Sequence, residues 1–172
     1  MADEFDDLLD DFGRRPSVLK RLFYILLSLE PVLVTAILFV RIFLVSISAS
    51  QVTLVLSVLL AAVLLSLSYH NLAFAKAARL RRAGSPPTKG AYKGDKAAYE
   101  KAMASFEGSI SSASLWYSCA YNNAIFMIVT PLLGMYLLPD KVAGDLNLLL
   151  SGAAAAALAL FNSNTALKAI GE

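Results

Sequence analysis

Few side chains in this sequence could do chemistry, and most of them sit in apolar surroundings. Glu30 is the one charge in the run 22–40 and is followed by Pro31. A carboxylate in hydrocarbon is a functional candidate, because burying its charge there is costly. Two roles fit it. It is either a proton-coupling acid, as in small four-helix drug/proton antiporters, or a protonated or paired group near the cytosolic third, hydrogen-bonded to another helix. Asn122 and Asn123 lie inside a second apolar run, where amides serve as interhelical glue or line a polar pathway. The single cysteine, Cys119, reads as a packed small hydrophobe and excludes an internal disulfide or a multi-cysteine metal cage. The single histidine, His70, stands at the exit of a run, where a solvated interfacial side chain is expected. There is no zinc-protease, nucleophile-elbow or phosphate-loop motif, and no span holds paired carboxylates. These absences point to a non-enzymatic chain with no cofactor and no metal.

The other concentration of chemistry is cationic. Lys76, Arg79, Arg81, Arg82, Lys89, Lys93, Lys96 and Lys101 fall in one polar segment with only Asp95 and Glu100 against them, a net +6. Clustered Lys and Arg attract polyanionic RNA, and Tyr92 among them could stack on a base. The plainer role for such cations is to set membrane topology or to touch anionic lipid.

The elements that position these residues are membrane spans. The 172 residues are 58% hydrophobic and 16% charged, with the apolar residues gathered into long runs. The expected fold is all-α and multi-pass: four transmembrane helices at 22–44, 52–75, 115–138 and 142–164, with a helical hairpin over 76–114. Its turn is expected near Pro86-Pro87, where Gly84, Ser85 and the two prolines interrupt the helix. Tyr99, Met103, Phe106 and Ile110 then recur at four, three and four, an apolar face leading into the third span. In the fourth run Ser151-Gly-Ala-Ala-Ala-Ala-Ala is rich in small residues, so Gly152 and Ala156 are candidates for close packing on neighbouring helices. Glu30, Tyr121, Asn122 and Asn123 are the other candidates for helix or subunit packing.

The flanks complete the reading. Residues 1–21 form a tail with six acids followed by Arg14, Arg15, Lys20 and Arg21, and Phe5, Leu8, Leu9 and Phe12 would line one face of a short helix. Ser17 is expected to cap the first span. Residues 165–172 form a short C-terminal tail. The loop at 42–51 has no cation and that at 139–145 only Lys141, so the positive-inside rule puts the tail, the 76–114 segment and both termini in the cytosol.

Four stretches in order carry a family resemblance. They are Asp6-Asp7-Leu8-Leu9-Asp10-Asp11-Phe12 with Arg14; Arg41-Ile42; Tyr69-His70-Asn71-Leu72-Ala73-Phe74; and Tyr121-Asn122-Asn123-Ala124-Ile125-Phe126. Together they resemble the gamma subunit of the translocon-associated protein complex (signal sequence receptor gamma), over nearly the whole chain. The resemblance implies a non-catalytic subunit of the endoplasmic reticulum membrane, assisting co-translational translocation beside the Sec translocon and other translocon-associated subunits. It also implies a cytosolic loop that reaches the ribosome and its RNA. The central loop is shorter and less charged than in the animal proteins, so a basic loop at that place carries over but its individual contacts do not. Two other readings stand beside it: a proton-coupled transporter centred on Glu30, and a tetraspan assembly factor unrelated to translation.

Overall fold

The structure, a computed structural model, describes residues 16–92, 94–139 and 141–170. The acidic tail with Phe5, Leu8, Leu9 and Phe12, and Lys93 of the basic segment, lie outside these residues. Among the described residues there are four long helices and no strand. All four helices are long and apolar enough to cross a membrane.

Helix α1 (Val18–Ile42) begins four residues ahead of the apolar run. Ser17 fixes that start: its Oγ accepts the Lys20 amide hydrogen at 3.3 Å, satisfying one of the open N–H groups of the first turn. Helix α2 (Gln51–Ala83) is unbroken for 33 residues, about 50 Å, so it outruns a hydrocarbon core of about 30 Å. It stops where Gly84, Ser85 and two prolines follow. After a short 3-10 turn (Lys89–Tyr92), α3 (Lys96–Leu132) starts on Asp95, whose Oδ1 accepts the Ala98 amide hydrogen at 3.0 Å. Beyond Pro131, which cannot donate to the preceding turn, α3 widens into a π-helical turn (Leu133–Leu137). Helix α4 (Gly144–Lys168) takes in both Asp145 and Asn162–Thr165, giving the fourth run 25 residues.

Cross-helix contacts give the arrangement. Ser28 Oγ donates to Ala62 O (3.0 Å) between antiparallel α1 and α2, and Ser118 Oγ donates to Tyr69 O (2.8 Å) between antiparallel α2 and α3. Asn71 donates to Asn164 Oδ1 (2.6 Å) and Arg82 to Ile170 O (3.1 Å), so α2 and α4 run parallel. At the opposite end Gly144 lies against Phe43 and Val45. The fourth helix therefore runs the same course as the apolar length of α2. Helix α2 is central, and its most extensive contact is with α4, where Ala155, Ala156 and Ala159 are wholly buried against a core that includes Ala61, Leu65 and Tyr69. Alanine lets backbones approach, and close van der Waals packing is what joins helices when lipid is the solvent. The hydroxyls of Ser57, Ser66, Ser68, Ser151 and Ser163 turn back onto carbonyls three or four residues earlier and so carry no unmet hydrogen bond into the core.

Candidate functional site

The basic end of the molecule is built from the parts of α2 and α3 that extend past the apolar core. Arg81 is directed at α3, where it forks onto Glu107: Nε donates to both carboxylate oxygens at 3.1 and 3.0 Å, and Nη2 donates to Oε2 at 2.7 Å. Only 11% of the Arg81 side chain and 31% of that of Glu107 is exposed. One turn on, Gly84 lies against the Phe106 ring, where an added Cβ would come within 3.0 Å of Cζ. The ion pair and this contact hold the ends of α2 and α3 together. Of the apolar face expected on α3, Tyr99, Met103 and Phe106 are half-buried and Ile110 is buried.

The cations divide into two groups. Lys76 Nζ sits 4.4 Å from the centroid of the Tyr117 ring, Arg81 holds Glu107, and Arg82 donates to the Ile170 carbonyl just past α4. Arg81 is committed to its ion pair, whereas the Lys76 ammonium keeps its N–H donors and Arg82 is exposed. Arg79, Lys89, Lys96 and Lys101 are exposed, with Lys96 in a loose pair with Glu100 at 3.7 Å. Tyr92 is half-buried, its ring edge-on to Tyr99 at 6.0 Å. Of the candidate RNA-binding cations, Arg81 is therefore turned inward, and Arg79, Arg82, Lys89 and Lys96 are exposed. Glu107, which no sequence motif marks, is what turns Arg81 inward.

The polar residues of the core are also redistributed. Asn123 accepts from the Tyr69 hydroxyl and so joins α3 to α2. Asn122 is fully buried yet donates only to Ser118 O (2.9 Å) and Ser118 Oγ (3.3 Å) of its own helix, and its Oδ1 has no partner. Replacing Asn123 with Leu should therefore strand the Tyr69 hydroxyl and cost about 1–2 kcal/mol in a detergent unfolding titration. Adding Tyr69→Phe should recover most of that loss. Asn122→Leu should cost less than Asn123→Leu, because it removes an amide oxygen that no group serves.

His70, expected to be solvated, is 9% exposed, with its ring 6.0 Å from that of Tyr24. Tyr121 is exposed and stacks on Tyr117 at 5.9 Å instead of packing in the core. Ala156 is buried at the α2–α4 contact, as a packing residue should be, but Gly152 makes no close approach: a Cβ there would meet nothing within 4 Å. Glu30 is exposed on α1 and, among the described residues, makes no hydrogen bond to another helix. Nine residues separate it from Arg21 and eleven from Arg41, about 14 and 17 Å along the helix, which puts it near the middle of the apolar length of α1 and not in its first third. Among the described residues no cluster of His, Cys, Asp and Glu could hold a metal ion. No family model matches the chain, and no curated protein matches it in sequence.

Proposed function

We propose that the chain is a non-catalytic subunit of the endoplasmic reticulum translocon-associated complex, tethering that complex to the ribosome beside the Sec translocon. The observation that carries this reading is the joined extension of α2 and α3. Past a 30 Å core, α2 continues for about a dozen residues, roughly 18 Å, and the Arg81–Glu107 pair braces it against α3. Lys89, Lys96 and Lys101 are exposed at or near the far end of this extension. A braced, basic arm is what an RNA-binding tether needs, and a compact transporter has no use for one. Glu30 fits the same reading as a contact for a partner subunit. A carboxylate on the outward face of a span is costly against lipid and less so against a partner's cation or hydrogen-bond donor. Its outward position also removes the interior carboxylate that a transporter formed by this chain alone would require.

Two measurements test the proposal. With the basic arm and the N-terminus in the cytosol, single cysteines at the exposed positions Ser17 and Ser85 label from outside intact microsomes, and one at Ser48 does not. Protection of Ser85 would reverse the orientation and end the ribosome assignment. Second, the triple change Lys89→Gln, Lys96→Gln and Lys101→Gln leaves Arg79, Arg81 and Arg82 to hold topology. Ribosome co-sedimentation should weaken, and the slope of log affinity against log salt should become shallower by about 2, from three lost phosphate contacts. Equal binding at every salt concentration would place the tether elsewhere.

A further inference from the structure

Where α2, α3 and α4 separate beyond the core, a cavity of 330 Å³ opens on the side of the bundle. Lys76 and Arg79 of α2 line one side, the stacked Tyr117 and Tyr121 of α3 another, and Asn162 and Thr165 of α4 the third. Among the described residues none that lines it is acidic, and two cations face the cavity. Lys76 is held in place by the Tyr117 ring, while Arg79 is exposed. The depth is specific. Counted from Val52, a core of about 30 Å ends near Asn71, so Lys76 and Arg79 lie about 7 and 12 Å beyond it, at the level of phospholipid headgroups.

We propose that this cavity is a binding site for the phosphate headgroup of an anionic membrane lipid. The phosphate sits between Lys76 and Arg79, the Asn162 amide supplies a further donor, and the glycerol and upper acyl chain lie along Tyr121 and Leu72. This site is independent of the ribosome tether. Lys89, Lys96 and Lys101 do not line it, and RNA phosphates have no access to a lateral cavity at headgroup depth.

Trp116 provides the readout, since it is the single tryptophan, is 69% exposed and adjoins Tyr117 in sequence. The full chain is reconstituted in phosphatidylcholine bilayers with brominated phosphatidic acid or brominated phosphatidylcholine, and quenching gives the relative affinity of the two. The native chain should prefer phosphatidic acid by about fivefold or more, the equivalent of at least one cation–lipid contact. Lys76→Gln with Arg79→Gln should bring the ratio near one, whereas Lys89→Gln with Lys96→Gln should leave it unchanged. Ala169→Phe fills the cavity from its rim without altering charge and should also abolish the preference. Retention of the preference in Ala169→Phe would show diffuse surface attraction and overturn the site, as would an unchanged ratio in the Lys76/Arg79 variant. Inorganic phosphate should compete no better than chloride at equal ionic strength. If it competes better, the cavity is a free-phosphate site and the lipid assignment fails.

Discussion

Arg81→Gln, with Glu107 left in place, should destabilise the joined ends of α2 and α3 by about 2–3 kcal/mol. Both side chains are mostly shielded, and the guanidinium donates from Nε to Oε1 and from Nη2 to Oε2 of one carboxylate, the geometry in which an ion pair is strongest. Glutamine cannot reproduce that fork or its charge, so the carboxylate of Glu107 is left partly buried without a countercharge. Most of the loss is therefore the cost of the abandoned group, and the double change to Arg81→Gln with Glu107→Gln should restore at least half of it. Hydrogen exchange of amides in 76–83 and 96–107 reads this locally. Exchange should speed up at both helix ends in the single variant and slow again in the double one. Equal exchange in native and single-variant protein would mean that the contact of Gly84 with Phe106 holds the two ends without the ion pair. On the proposed function, the single variant also weakens ribosome binding although Arg81 itself faces inward, because the exposed lysines lose a fixed platform.

The spans were legible in the sequence because the property that makes them, long uncharged apolar runs, is additive along the chain. Their ends were less so. Main-chain hydrogen bonds are met by the helix whatever the side chains are, so α1 starts at Val18 and α4 runs on past residue 164 to Lys168. The expected spans 22–44 and 142–164 therefore miss the ends of Val18–Ile42 and Gly144–Lys168 by two to four residues in either direction. The pairings were not legible, for a geometric reason. Successive helical residues are rotated by about 100°, so neighbours of one chemical type meet different surroundings. Asn123 reaches Tyr69 while Asn122 returns to its own helix; Arg81 faces Glu107 while Arg79 is exposed. Which of two adjacent residues faces the neighbour depends on a partner dozens of positions away. Local spacing does not contain that information.

The two glycines Gly134 and Gly152 should respond to the same substitution with opposite signs. Gly134 is buried in the π-helical turn, where an added Cβ would stand 2.6 Å from Phe39 Cε1 and 3.1 Å from Asn147 Oδ1. Phe39 is 1% exposed and Asn147 donates to the Gly134 carbonyl at 2.9 Å, so neither has room to withdraw. Gly134→Ala should cost about 2 kcal/mol, the scale of overpacking in a filled core, and should disturb the junction of α1, α3 and α4 together. A compensating cut, Phe39→Leu, should return part of that stability when combined with Gly134→Ala while lowering it in the native chain. Gly152 lies mid-helix in α4 beside a void of about 10 Å³ bordered by Val32, Ala36, Ser57 and Phe126. A methyl group there meets nothing within 4 Å, so it adds no clash and removes the backbone freedom that glycine brings to a helix. Gly152→Ala should therefore raise stability by about 0.5–1 kcal/mol. Unfolding both variants in a graded anionic–nonionic detergent mixture tests the pair. If Gly152→Ala is the damaging change and Gly134→Ala is tolerated, Gly152 is itself a point of close helix contact, and the packing of Phe39 onto the π-helical turn is wrong.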